Sequence, residues 1–463
     1  MENKMNRRSF IRNSALVGGA LSTVGVGAGV GGSALLSSCS DSKSKSVPLK
    51  AAGTYYIPEL PDMAKDGKEL KAGLIGCGGR GKGAVYNFLA AANGLKIVAL
   101  ADTFKDRVDD VAASLQKDKN IVIPPEKCFV GLDAYKQVID SDVDVVLIAT
   151  PPFFRPLHFK YATEKGKHAF LEKPLFVDAA GYRSVMATAK QAAAKNLAVV
   201  TGNQRHHQRC YVEAYKKIME GAIGEITGGY VEWNTNHLWF RPRRKEWSDA
   251  EWMIRDWVNW KWLSGDHIVE QHCHNIDVFM WFTGLKPKSA LGFGSRARRV
   301  TGDQFDFFSV DFVMENGIHL HSMCRQIDDC DGGVSEFIQG AKGTWSSDGI
   351  IKDLAGNVIW KYDFEKEKAQ TKQQDPYTLE HVNLINHIRG NQPIEMVSAF
   401  AVANMSAVMG RESAYSGKKF EWDKTVAMDM DFTPADLNLT GKMNMKGFVV
   451  PVPGKDAPAP EKG

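Results

Sequence analysis

Short apolar runs separated by helix-like stretches dominate the first half of the chain. Leu70 to Ile75, Leu95 to Ala101, Asp144 to Ala149, His168 to Leu171 and Ala198 to Thr201 are too apolar for a strand with one wet face. Between them lie helical patterns over Ala84 to Ala92, Pro156 to Lys165 and the alanine-rich Asp178 to Lys195. Buried strands alternating with helices predict a parallel, doubly wound sheet covered on both faces. After Gly202 the pattern changes. Ile226 to Asn234, Lys288 to Arg296, Phe305 to Met314 and Ile318 to Arg325 are longer, several alternate with period two, and Glu315-Asn316-Gly317 supplies a tight turn. Those features predict an open, mainly antiparallel sheet whose outer face is solvated or covered by a partner. Helices over Thr378 to Arg389 and Ala399 to Ser416 are expected beside it. The fold class is therefore α/β, with a doubly wound domain over 67–201, a second α+β domain over 202–430 and a tail over 431–463.

The first strand runs straight into Gly76-Cys77-Gly78-Gly79-Arg80-Gly81, then a helix, then a second strand ending in Asp102. A GxGxxG alone is weak evidence; in a strand–turn–helix–strand–acid frame it is the fingerprint of a dinucleotide site. Gly76 permits the tight turn, Gly78 lets backbone approach a pyrophosphate with Gly79 and Arg80 beside it, and Gly81 lets helix and strand lie close. The phosphates would sit on unpaired N–H groups at the positive helix end. Asp102 can accept from both ribose hydroxyls and would repel a 2′-phosphate, which favours NAD. Lys105 and Arg107 nearby leave NADP open.

Composition is that of an ordinary globular protein, and a net charge of +4 gives no reason to expect nucleic acid as a partner. The N-terminus is distinct. Arg7-Arg8-Ser9-Phe10-Ile11-Arg12 precedes an uncharged, glycine-studded stretch and Leu36-Ser37-Ser38-Cys39. This resembles a twin-arginine export signal over 1–39 ending in a lipobox, with a lipid anchor at Cys39 in place of a transmembrane helix. Residues 40–66 read as a polar tether, and the location expected is the periplasm or cell envelope. Free NAD is scarce there, so the nucleotide is expected to be tightly held and recycled in place. Of the remaining cysteines, Cys77 and Cys273 are expected to be free, and Cys324 with Cys330 is the one sequence-local candidate for a disulfide.

The remaining motifs follow in order: Thr150-Pro151-Pro152, His158, Gly166-Lys167-His168, Glu172-Lys173-Pro174, then Gly265, Glu270, His274 and Asp277. Their order and spacing resemble Gfo/Idh/MocA-type oxidoreductases over residues 68–425. The resemblance implies a Rossmann domain followed by an α/β domain with an open sheet through which many members associate, hence a homo-oligomer. It also implies hydride transfer on sugars or cyclitols; a minority of members use bound NAD transiently to cleave glycosides. By the same resemblance Thr150, Pro151, His158, Glu172 and Lys173 would line the cofactor. Lys173 would donate to the substrate oxygen beside the nicotinamide. Here glutamate stands at 270 where the family usually has aspartate, and His272 where it usually has glycine.

Glu270 and His274 are spaced i, i+4, so on one helix turn the carboxylate would orient the imidazole as general base. The catalytic set is Lys173, Glu270 and His274. Arg205, His206, His237, His272 and Asp277 are the candidates for substrate contact, Asp277 also for structural support. Arg205 and His206 follow the last Rossmann strand and would enter the inter-domain cleft. A metal site from His267, Glu270, His272 and His274 is disfavoured, because His272 and His274 fall on different sides of a helix. Trp233, Trp239, Trp247, Trp252, Trp257, Trp260 and Trp262, interleaved with arginines, should be core or interface except for one or two that face a glycosyl unit. The function expected is an NAD(P)-dependent oxidoreductase acting on a sugar or glycoside CH–OH. The alternatives are a redox-assisted glycosidase and a non-catalytic sugar- or nucleotide-binding protein.

Overall fold

The computed structural model describes residues 56–454. The export signal, lipobox and most of the expected tether lie outside the described residues.

Seven strands form the first sheet: β1 (Leu70–Ile75), β2 (Leu95–Asp102), β3 (Cys128–Val130), β4 (Val145–Ile148), β5 (His168–Leu171), β6 (Ala198–Thr201) and a late, two-residue β15 (Ile394–Glu395). Their order is β15-β6-β5-β4-β1-β2-β3, and every pairing is parallel. Leu74, Val146, Leu147, Phe170 and Val200 are fully buried, as expected of strands covered on both faces. The nucleotide-binding sheet is therefore not finished at residue 201. The chain returns near residue 394 to add its last strand, and two residues carry no readable periodicity.

The second sheet holds β7 (Ile226–Thr235), β8 (Pro287–Ser295), β9 (Phe307–Met314), β10 (His319–Gln326), β11 (Gly333–Gly340), β12 (Gly343–Ser346), β13 (Ile350–Asp353), β14 (Val358–Lys361) and β16 (Phe420–Glu421). Its order is β14-β13-β12-β11-β7-β10-β9-β8-β16, antiparallel except for the β7–β10 pair. On β9 the alternation is complete: Phe308, Val310, Phe312 and Met314 are buried, and the residues between them are half-buried. Helices Cys273–Thr283 and Val397–Ser416 pack on the buried side.

Three expectations are corrected. Helix Pro376–Arg389 packs on the helix after the glycine turn and on β6, not beside the antiparallel sheet. Its Leu379, Val382, Leu384 and Ile385 complete the core of the first domain, and that apolar face fits either sheet equally well in sequence. The tether is shorter than 40–66. Tyr56 donates to Asn383 at 2.8 Å, and Asp62 accepts from the backbone of Lys372 and Gln373, so its last residues are docked. Cys324 and Cys330 are both free: Cys324 faces the core from β10, whereas Cys330 is exposed. Cys77 and Cys273 are free and buried, as expected. Before residue 451 the C-terminal tail is also anchored, through Met443 N to Asp249 at 2.9 Å and Phe448 against Trp260. Among the described residues, no helix is long and apolar enough to cross a membrane.

Candidate functional site

The glycine turn has the shape its residues demand. Gly76 adopts φ +94°, where a Cβ would lie 2.8 Å from Ala149 C, and a Cβ on Gly81 would come within 1.8 Å of Gly76 O. At Gly78 and Gly79, by contrast, a Cβ would meet nothing within 4 Å. The helix Gly79–Ala91 starts there with no side chain capping its first N–H groups. Open space before uncapped, positively polarised N–H groups suits a pyrophosphate, so these residues fit the dinucleotide that the fingerprint implies.

This turn forms one wall of a cavity of about 460 Å³. Gly76, Gly78, Gly79, Arg80, Asp102, Thr150, Pro151 and His158 all line it. Asp102 accepts from Cys77 N at 2.7 Å and Phe104 N at 3.0 Å, so the carboxylate braces the turn with one lone pair per oxygen and keeps others for a ribose. Burial lowers the pKa of His158 to about 3, and its ring is neutral, bonded to Thr150 Oγ1 at 3.2 Å. Glu172 departs from its expected role. It is buried, pairs with Arg80, and accepts from Lys173 N at 3.1 Å. Arg80 spends its charge on Glu172 and lies 4.7 Å over the Tyr377 ring. The two residues tie the glycine turn to the lysine-bearing strand end, and Arg80 also lines the cavity.

Lys173 leaves β5 into the cleft. Its Nζ donates to Glu270 Oε1 at 2.9 Å and to the Glu270 carbonyl at 2.5 Å. Burial alone would lower this ammonium's pKa; the neighbouring Glu270, Cys273 and Glu172 outweigh it, and the net direction is upward. Glu270 Oε2 also accepts from Gln271 Nε2 at 2.5 Å. The expected single helix turn through Glu270 and His274 is broken. One short helix ends at Glu270 and the next begins at Cys273, so the carboxylate serves Lys173 and makes no hydrogen bond to His274. His274 stacks on Trp233, with ring centroids 5.8 Å apart. Burial, then the charges of Lys173 and Arg205, hold its pKa well below the ordinary value. The imidazole is thus a neutral, unprotonated base.

Asp277 supports His206. His206 Nε2 lies 2.8 Å from Asp277 Oδ2, Asn203 donates to the same oxygen at 3.2 Å, and the His206 ring stacks on Trp281 at 4.1 Å. Arg205 does not reach out for sugar. It pairs with Glu336 at 2.5 Å and lies over the rings of Tyr211 and Trp233, while Tyr211 donates to Glu336 at 2.7 Å. His272 is fully buried, bonds Ser322 Oγ at 2.8 Å and has its pKa lowered to about 3 by burial, so it belongs to the core. His237 has Arg299, Asp328 and Asp306 as its charged neighbours, not the lysine cluster. His267 turns to Asp266 at 3.0 Å. No group of three or more His, Cys, Asp or Glu among the described residues could hold a metal.

Glu336, Tyr211 and Trp281 complete this cluster and escaped the sequence reading, which held Trp233 only as one of seven tryptophans. Glu336 lies on β11, a strand bounded by glycines with no clear alternation. The aromatic signal existed, but nothing in it distinguished Trp233 from its core neighbours Trp260 and Trp262.

Residues 70–201 match an oxidoreductase family with an NAD-binding Rossmann fold, and residues 211–346 match the GFO/IDH/MocA C-terminal domain. A glycosyl hydrolase family 109 protein of Shewanella pealeana is 28% identical over 229 residues, which cover 49% of this chain and 45% of that protein. An inositol 2-dehydrogenase of Saccharopolyspora erythraea is 31% identical over 157 residues, 34% of this chain and 43% of the relative. The chain thus spans less than half the length of these curated relatives. The solved scyllo-inositol dehydrogenase of Lactobacillus casei, with NAD(H) and scyllo-inositol bound, shares the fold at TM-score 0.57 and 19% identity, over 78% of this chain and all of that one. Both domains, in order and joined by the lysine cleft, make the chain a member of the Gfo/Idh/MocA oxidoreductase family.

Proposed function

We propose that the protein is an NAD-dependent oxidoreductase acting on a CH–OH or keto group of a sugar or glycoside. The observation that carries the reading is the pairing of Lys173 with Glu270. Two of its three N–H donors go to Glu270, and the third is left for a substrate oxygen beside a neutral His274. Bound NAD supplies a hydride acceptor or donor. Held along Gly78, Gly79 and Asp102, the cofactor would take up or return the hydride of the substrate C–H, while His274 would accept the O–H proton in the oxidising direction. Lys173 stabilises the oxygen as negative charge develops, and Glu270 keeps the lysine charged and aimed. The aromatic wall of Trp233 suits the C–H face of a sugar ring.

A second reading is supported by the family 109 relative and by the His206–Asp277 pair. That pair is an imidazole–carboxylate group whose His206 lies near enough to His274 to lower its protonation. It could remove or return a proton at a carbon next to the transient ketone, turning oxidation into glycoside elimination, hydration and re-reduction. In both readings the signal over 1–39 sends the enzyme to the cell envelope with lipid at Cys39, and copies associate through the open face of the second sheet.

Mass spectrometry on the supernatant of acid-denatured protein tests the cofactor; NAD is expected, and neither NAD nor NADP would end the reading. A glycoside panel separates the two chemistries. Accumulating reduced nicotinamide marks a dehydrogenase, and free monosaccharide without it marks the glycosidase.

A further inference from the structure

The dinucleotide trough is closed on one side by residues that belong to neither the Rossmann sheet nor its helices. At the end marked by Asp102, Thr103, Phe104 and Arg107, its lining continues with Trp239, Arg241, Arg255 and Trp257 from the second domain. These come from a stretch without regular structure after β7, from the short helix Asp249–Arg255 and from the 3-10 turn Trp257–Asn259. The stretch is pinned from below. Arg241 N donates to Asp256 at 2.6 Å, Trp252 Nε1 to Arg241 O at 2.9 Å, and Asn259 Nδ2 to Trp239 O at 3.2 Å. It is also pinned across the trough. Arg255 makes two hydrogen bonds to Asp106, at 3.1 and 3.0 Å, sits 3.9 Å over the Phe104 ring, and is steadied by Glu251 at 2.8 Å.

We infer that Trp239, Trp257 and Arg241 form the adenine subsite, and that the Arg255–Asp106 bridge latches this wall over the adenosine half of the cofactor. Asp102 fixes which half it is, since the acid of this fingerprint meets the adenosine ribose. The indole of Trp239 is 45% exposed although it lines a cavity, and Arg241 lies 5.3 Å from its ring. An exposed indole flanked by a guanidinium presents the surfaces on which a purine stacks. Because the wall comes from the substrate domain and is bridged to the Rossmann domain through Arg255 and Asp106, release of nucleotide is slowed until that bridge opens. The cofactor is then retained from turnover to turnover, which suits an enzyme working where no free pool refills it.

The inference rests on the nucleotide reading, and the experiment separates the two. Holoprotein as purified is passed through a desalting column, and loss of bound nucleotide into excess ADP-ribose is followed over time. Three variants are compared with the wild type: Trp239→Ala, Arg255→Met, and Asp106→Asn, the last altering an exposed carboxylate on the opposite bank. Release is expected to accelerate by about tenfold to a hundredfold in Trp239→Ala, the scale of one lost aromatic stack, with a clear acceleration in Asp106→Asn. Unchanged release in folded Trp239→Ala and Asp106→Asn proteins would overturn the latch while leaving the nucleotide site intact. Wild-type protein that carries no nucleotide and binds neither NAD nor ADP-ribose would overturn the nucleotide reading itself.

Discussion

Removing both partners of the Lys173–Glu270 pair should cost less than the two single removals added together. The two side chains are 13% and 8% exposed, and their charges approach to 2.9 Å. At that distance and an effective dielectric of about 20, Coulomb's law gives an attraction of about 6 kcal/mol before desolvation is subtracted. Stripping one member from such a pair strands a buried charge, at about 3–5 kcal/mol. Lys173→Met leaves the carboxylate with only Gln271 Nε2, whereas Glu270→Gln leaves the ammonium with a carbonyl and an amide oxygen. The second loss should be the milder, about 2 kcal/mol, because neutral acceptors remain. In Lys173→Met/Glu270→Gln no charge is stranded, and the loss should fall short of the sum by about 2–3 kcal/mol. Urea unfolding of the four nucleotide-free proteins, followed by tryptophan fluorescence, measures this cycle. Losses that add to within about 0.5 kcal/mol would show that the pair is not coupled and that Glu270 does not hold the lysine.

Glycine substitutions should divide sharply. Gly81→Ala drives a Cβ into Gly76 O and should destabilise the first domain by about 3 kcal/mol or more, read as a fall in melting temperature, whereas Gly78→Ala should melt like the wild type but lose nucleotide affinity in a titration. Acid should unfold the protein early. His158, His207 and His272 have pKa values near 3 when folded and about 6.5 when unfolded, so the unfolded chain binds more protons between those values. Stability is full above about pH 6.5 and falls with pH by about 1.4 kcal/mol per unit for each such histidine; a urea midpoint unchanged from pH 7 to 5 would contradict that burial. His274→Ala should lower kcat by about a hundredfold to ten-thousandfold without altering nucleotide affinity; equal loss in both would mean the imidazole only supports the cleft.

Much of the fold was legible because the strands obey simple periodicities. β1, β5 and β6 begin and end at the residues where their apolar runs do. Elements that depend on distant partners were not. β15 is two residues that become a strand only because β6 offers an edge, and helix Pro376–Arg389 has an apolar face that names no partner. The candidate site divides in the same way. The glycine turn and Lys173 follow from local geometry. Pairing partners do not: the i, i+4 spacing points Glu270 at His274, yet it serves Lys173, and Asp277 serves His206, because a helix break at Gln271-His272 rotates one acid away from the imidazole. Arg205, Glu336 and Tyr211 come together from three elements that sequence separation gives no reason to join.

The direct test of hydride transfer at this cleft is isotopic. Holoprotein is incubated with sugars and glycosides deuterated at their ring carbons, quenched in acid, and the released nucleotide weighed by mass spectrometry. Deuterium on the nicotinamide ring is expected with wild-type protein and is expected to be absent with Lys173→Met. Nucleotide that stays unlabelled with every substrate, under conditions where the wild-type protein is folded and loaded, would contradict the oxidoreductase reading.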